Sequence, residues 1–456
     1  MSFSDLRFIF YILPCFVLMH TLIASEARNA LLFFGSLAIY AWGAGPGAAA
    51  VLLVLTLFDF LIAHLLAPER PHARIWLTLT LIMNLGALCL CKVLSSPPDT
   101  FSFLTLPRLV LPLGISFYVF QLSAYLMDVS RGTIERERKF WDFGAFIVAF
   151  PQLTMGPILR YGDLRRALKS RNPGREDIEQ GFQLFCIGLA FKVLLADQLA
   201  SLWSVLERIG FSYISTPLAW LGAVGYSLQL YFDFQGYSLM AIGLGRMLAL
   251  PIARNFDEPY LSRSVCEFYR RWHITLGTWF RDYLYIPLGG SRRGAMRTFL
   301  SLAVVWLLTG FWHGLTPNYL IWAGVLFAFI VLEKAVLRRA FGRLRVLPHL
   351  YLLFVIVQTW VIFHIEQLGD LAAYFSRLYP FFGTSDAINY DDFQKYLSSY
   401  WWLFVAGILL CLPQPRRWYE RYRNNPLVWL PLFAVFWVSV YFLATGNGNS
   451  FLYFRF

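Results

Sequence analysis

The chain has 456 residues, of which 58% are hydrophobic and only 14% charged. An ordinary soluble domain carries about 25% charged residues, so this pool cannot cover a water-facing surface, and soluble multidomain, disordered and collagen-like readings are excluded. The net charge of +12 raises nucleic acid as a partner, but the basic residues fall in short loops between apolar stretches, the pattern of a polytopic membrane protein whose surroundings are the lipid bilayer.

In chain order, apolar stretches that suit membrane helices run over residues 7 to 24, 30 to 43, 47 to 66, 75 to 95, 109 to 128, 180 to 205, 216 to 234, 298 to 312, 317 to 333, 348 to 368, 399 to 413 and 427 to 446. A span needs about 20 apolar residues, and several of these are short, which implies tilt or helices that stop partway. The expected fold is all-α, with about 11–13 membrane helices. The first stretch lacks a basic leader and a small-residue cleavage site, so it reads as a retained span.

Loop charge orients the chain. Arg160, Arg165, Arg166, Lys169, Arg171 and Arg175 crowd residues 159 to 176; Lys334, Arg338, Arg339, Arg343 and Arg345 crowd 334 to 345; Arg416, Arg417, Arg421 and Arg423 crowd 415 to 424. All three loops are expected in the cytoplasm. Residues 371 to 398, with Asp386, Asp391 and Asp392, and the C-terminal GNGNSFLYFRF then fall outside.

One conflict is informative. The loop holding Arg131, Arg136, Arg138 and Lys139 also reads as cytoplasmic, yet WDFGAFIVAFPQLTMGP lies between it and the next basic loop. One crossing cannot join two loops on the same side, so this segment is expected to be re-entrant, broken at Pro151 and at Gly156-Pro157. Residues 253 to 297, interrupted by Pro259, Pro287 and Gly289-Gly290, follow the same logic. Irregular backbone at such depth is tolerated only where protein buries it or where it lines a cavity.

Ionisable residues at membrane depth mark candidate sites. YRRWHITLGTWFRDYLYIPLGGSRRG holds Arg270, Arg271, His273, Arg281, Asp282 and Tyr283; an interfacial helix with snorkelling arginines would look the same. His313, beside Trp312 in LLTGFWHGLTPNY, sits at a break made by Gly310, Gly314 and Pro317. A lone histidine there is as a rule a hydrogen-bonded structural residue, although neutral imidazole suits the removal of a proton from an attacking hydroxyl. Lys192 and Asp197 read as a structural ion pair or as snorkellers at the cytoplasmic end of their span. His20, His64, His72, His349 and His364 are scattered, the six cysteines form no CxxC pair, and no phosphate loop or GxSxG is present, so no metal or bound cofactor is expected.

Six stretches together resemble one family: LPLGISFYVFQLSAYLMDVSRG (111 to 132), FPQLTMGPILRY (150 to 161), LQLYFDFQGYSLMAIGLGRM (228 to 247), NFDEPYLSRSVCEFYRRWHITLGTWFRDYLYIPLGG (255 to 290), LLTGFWHG (307 to 314) and the terminal FLYFRF. The chain resembles the membrane-bound O-acyltransferases, and within them the bacterial branch that acetylates alginate or cellulose. The resemblance implies a single membrane domain over 1–456: N-terminal helices at 1–130, a funnel core with both motif histidines and the re-entrant segments at 131–334, and C-terminal helices with an outer tail at 335–456. It implies a funnel in which acetyl-CoA, the donor substrate, enters from the cytoplasm and the acetyl group leaves toward the periplasm for an exopolysaccharide. His313 is then the expected catalytic residue, joined by His273. Arg270, Arg271, Asp282, Tyr283 and Trp312 would organise the site or hold CoA phosphates.

The family's partners would be a periplasmic acetyltransferase and a polysaccharide synthesis and export complex, with the protein in the bacterial inner membrane and its C-terminus periplasmic. Tyr453 in the tail is either an aromatic anchor or an acyl relay, the latter by similarity to a peptide of the teichoic-acid branch. Two features depart from the branch: Leu239 replaces an acidic residue after Tyr237-Ser238, and Phe363-His364 replaces an aromatic-Arg pair. The rival readings are D-alanyl transfer to teichoic acid from a carrier-protein thioester and a non-catalytic scaffold of an export complex.

Overall fold

The computed structural model describes residues 3–95, 111–337, 344–381 and 391–446. Their regular structure is entirely helical, with no strand among them. Seven helices are long and apolar enough to cross a bilayer, or eight if Asp392–Leu410 and Pro413–Tyr422, bent by 66°, form one span. That is fewer than the expected eleven to thirteen, because several apolar stretches form helices that miss that standard. Phe8–Leu22, Arg28–Ala44 and Ile115–Ser130 are shorter, and Thr216–Met247 is long but carries Gln229, Asp233 and Gln235. Side chains such as Val54, Ile82, Leu430 and Trp437 are exposed, as a lipid-facing surface requires.

The centre is an antiparallel pair, α1 (Arg175–Ile209) and α2 (Thr216–Met247). Ser215 starts α2 by accepting the amide of Leu218, with Pro217 in the first turn. The expected span at 216 to 234 thus continues to 247. The pair meets along glycines. A Cβ on Gly181 would lie 2.6 Å from the carbonyl oxygen of Gly243, and one on Gly188 2.5 Å from that of Gly236. Small residues let helix backbones touch, which supplies packing where lipid offers no hydrophobic drive.

Below this seam α1 widens into a π-turn, Phe191–Ala196. Lys192 Nζ stands there 2.7 Å from both Asp197 Oδ1 and Asp233 Oδ1. All three side chains are almost fully enclosed. The pair read from sequence is therefore a triad that ties α1 to α2.

The segment after Lys139 enters and returns. Phe140–Val148 and Phe150–Leu153 are too short to cross, and the loops at their two ends meet: Arg165 bonds Glu135 at 2.8 Å, while Tyr161 and Lys169 bond Glu137. The conflict in loop charge is thereby resolved. Freed backbone groups find partners, with Phe150 N–H donating to Ser36 Oγ at 3.1 Å and Ile158 N–H to Thr275 Oγ1 at 2.9 Å. Gly114, at φ 78°, lies against Leu153 so closely that a Cβ would overlap its carbonyl.

The basic loops converge on one face. Gln180 bonds Asn424, Arg416 bonds Asp257 and Glu258, and Arg263 donates to the carbonyl of Leu344. A second set marks the other end of the molecule, where Asp392 accepts from Ser215 and Arg377 donates to the carbonyl of Ser212.

Candidate functional site

Residues 253 to 290 form no span. Two seven-residue helices, α3 (Val265–Arg271) and α4 (Ile274–Phe280), are followed by a π-turn, Arg281–Tyr285. Ser264 caps α3 by accepting from Glu267 N–H, and Glu333 accepts the amides of Val265 and Cys266. Between the helices His273 adopts φ 47°, ψ 54°. A left-handed histidine is held only where its surroundings over-determine it. Here Ile274 N–H donates to the carbonyl of Asn255 at 2.9 Å, Thr275 Oγ1 donates to Asn255 Oδ1 at 2.7 Å, and Asp257 N–H donates to the carbonyl of Arg271. Asn255 and Thr275 are thus the positioning residues that the sequence did not single out.

His313 ends α5 (Ala295–His313), which turns back into α6 (Pro317–Leu332). Gly314 at the turn lies so close to Tyr319 that a Cβ would overlap its ring. The His313 imidazole stands edge-on to Trp322 and Phe363, with ring centroids 5.1 and 5.0 Å away, and 4.6 Å from Trp312. Trp312 stacks on Phe120 and reaches to 6.2 Å from the His273 ring. The two histidines therefore flank one indole, from elements 40 residues apart.

Both histidines line one cavity of about 320 Å³. Along α5 it is faced by Leu302, Val305, Trp306, Thr309 and His313, one side of a helix over about 16 Å. Across from these, the wall runs from Trp322 of α6 to Lys334 just beyond it, about 18 Å at helical rise. The cations Arg270, Arg281 and Lys334 belong to its rim. Arg281 pairs with Asp282, which also pairs with Arg160 of the basic face. The mouth thus faces the basic loops and the histidines lie at depth.

The other expected site residues take different places. Arg271 bonds Glu267 at 2.7 Å, Asp282 bridges Arg281 and Arg160, and Tyr283 donates to Asp128 at 2.8 Å beneath the guanidiniums of Arg131 and Arg160. None of the three is part of the cavity wall. Hydrogen bonds from Arg281 and Arg160 hold the Asp282 carboxyl below the usual carboxylate range. Tyr453 lies outside the described residues. His364 packs on Tyr226 with ring centroids 4.4 Å apart and meets Glu207 at 3.4 Å, away from the cavity. Among the described residues no cluster of three or more His, Cys, Asp or Glu could hold a metal ion.

Comparison with known proteins fits this arrangement. The family model of MBOAT, membrane-bound O-acyltransferases, matches residues 139–369, which contain both histidines and the whole cavity wall. The chain belongs to the membrane-bound O-acyltransferase family. It is 36% identical over 389 residues, covering 84% of this chain and 76% of the relative, to a Pseudomonas fluorescens protein named "probable alginate O-acetylase AlgI". It is 33% identical over 363 residues to the peptidoglycan O-acetyltransferase of Helicobacter pylori, covering 70% of this chain and 68% of that relative. To the teichoic acid D-alanyltransferase of Bacillus subtilis it is 28% identical over 224 residues, 46% of this chain and 55% of that relative. It is a multi-pass membrane O-acyltransferase.

Proposed function

We propose that this acyltransferase takes acetyl groups from cytoplasmic acetyl-CoA and passes them toward the periplasm for O-acetylation of an exopolysaccharide such as alginate or cellulose. The observation that carries the reading is the cavity with Arg270, Arg281 and Lys334 at its mouth and both histidines at its depth. The cationic rim suits the phosphates of CoA, and the aromatic-lined shaft suits an extended pantetheine arm. The positive-inside rule supports a mouth open to the cytoplasm, with the protein in a bacterial inner membrane.

In this reading an imidazole nitrogen of His313 takes the proton of an acceptor hydroxyl as its oxygen attacks the thioester carbon. The carbon–sulfur bond then breaks, and the CoA thiolate leaves with the proton returned by His313. His273, across the Trp312 indole, orients the thioester or the acceptor. The tail phenol of Tyr453 is either an aromatic anchor at the headgroups or an intermediate acceptor that hands the acetyl group to a periplasmic transferase of the export complex. Identity to alginate O-acetylases over most of the chain favours acetyl over D-alanyl transfer.

The test is turnover of labelled acetyl-CoA by purified protein. Arg270→Gln and Lys334→Gln should each raise KM for acetyl-CoA with little change in kcat. A protein that ignores acetyl-CoA but accepts a carrier-protein thioester would overturn the donor assignment.

A further inference from the structure

A second cavity, of about 610 Å³, opens on the face of the basic loops and shares no residue with the histidine cavity. Asp163 and Arg166 of helix Tyr161–Ser170, Arg171 beyond it, Asp177 of α1 and Arg246 of α2 form its wall. Basic residues in such a loop are expected to point into water. Arg171 does not: its side chain is 6% exposed.

What surrounds Arg171 is short of negative charge. Nε donates to His20 Nε2 at 3.2 Å and Nη1 to Asn29 Oδ1, both neutral acceptors. Nη2 meets no acceptor among the described residues. Immediately behind, buried Arg28 gives Nη1 to the carbonyl of Arg171 at 2.7 Å and to Asn172 Oδ1, while its Nε meets no acceptor among the described residues. Asp142 reaches the cluster through the Asn29 amide, at 2.6 Å. Burial and the neighbouring Arg28 push Arg171 down to about 10.

On the wall itself three guanidiniums face two carboxylates, of which Asp177 stands 3.7 Å from Arg246. Enclosed charges need a counter-charge or a full set of hydrogen bonds. Nη2 of Arg171, a wall residue of the cavity, and Nε of Arg28 behind it have neither among the described residues.

We propose that this second cavity binds a phosphate group, held by Arg166 and Arg246 at the opening and balancing the buried charge of Arg171 and Arg28. At this face a phosphate comes either from the headgroup of an anionic phospholipid or free from solution. Either source supplies several acceptor oxygens for planar guanidinium donors. The site is independent of the acetyl-CoA reading.

The experiment compares wild type with Arg166→Gln/Arg246→Gln. Phosphatidylglycerol retained by the detergent-purified protein is counted by native mass spectrometry, and inorganic phosphate is titrated into protein in phosphatidylcholine nanodiscs. Wild type should bind one of the two probes, and the double variant should bind it about 30-fold more weakly, as expected for the loss of two arginines at a phosphate. Retention of phosphatidylglycerol that the variant loses identifies the headgroup; phosphate binding that the variant loses identifies the soluble anion. Arg270→Gln, in the other cavity, should leave both unchanged. If the double variant fails to fold, the exposed Arg166→Gln alone keeps the test. Binding of neither probe, or equal binding by wild type and the folded variant, overturns the proposal.

Discussion

Removing the cation from the Lys192 triad gives a calculable result. In Lys192→Met two enclosed carboxylates remain whose inner oxygens, each 2.7 Å from the lost Nζ, are no more than twice that distance apart. At an effective dielectric of about 20, two unit charges about 5.4 Å apart repel by about 3 kcal/mol. That agrees with the roughly 3–5 kcal/mol typical of breaking a buried ion pair from one side. The triple variant Lys192→Met/Asp197→Asn/Asp233→Asn removes the repulsion with the cation and should regain most of the loss. Unfolding is followed in detergent at matched scan rates, and the recovery of the triple variant over the single is the quantity of interest. A single variant as stable as wild type, or a triple variant less stable than the single, would refute the electrostatic account and leave α1 and α2 held by their glycine contacts alone.

The remaining predictions concern the reaction and its sidedness. His313→Ala should lower acetyl transfer by about 10²- to 10⁴-fold, the usual contribution of a positioned base, with insertion and abundance near wild type; His273→Ala should lower it less. Tyr453→Phe keeps an aromatic anchor and deletes the nucleophile, so normal polysaccharide acetylation in that variant would eliminate the relay. A cysteine placed after Asn449 should react with an impermeant reagent in intact cells, and labelling only after permeabilisation would reverse the proposed orientation. The lowered Asp282 carboxyl gives a stability contribution present above the unfolded carboxylate value, near 4, and lost as pH falls through its lower folded value. Asp282→Asn should therefore reduce the acid sensitivity of unfolding.

Much of this could be read from the chain because lipid imposes simple rules. Apolar length found the spans, and the two basic loops flanking 140 to 158 revealed the re-entrant turn before Arg165–Glu135 and Tyr161–Glu137 showed the loops in contact. What escaped was pairing across distance. Asp233 lies 41 residues from Lys192, and no periodicity links them. Lys334 reads as loop charge in the sequence, yet it belongs to the cavity rim because α6 carries it back beside α3. Arg171 and Arg28 escaped for a related reason: positive-inside counting assumes solvated cations, and burial of a guanidinium depends on tertiary neighbours. Asn255 acts mainly through hydrogen bonds to a backbone turn, which leaves no pattern in residue type.

The glycine seam between α1 and α2 has a mechanical consequence. Gly181 faces Gly243 and Gly188 faces Gly236, seven residues apart on each helix, so a slide by one helical turn would bring Phe185 and Lys192, the next residues on that face, against an opposing backbone with no room for a Cβ. The pair cannot work as a piston. Phe234 of α2, whose ring centroid is 4.7 Å from that of His273, is consequently a fixed datum for the inner end of the shaft. Movement that admits a donor or releases a product then belongs to the short broken helices α3 and α4 and to the α5–α6 hairpin, which must tilt or swing against a stationary keel.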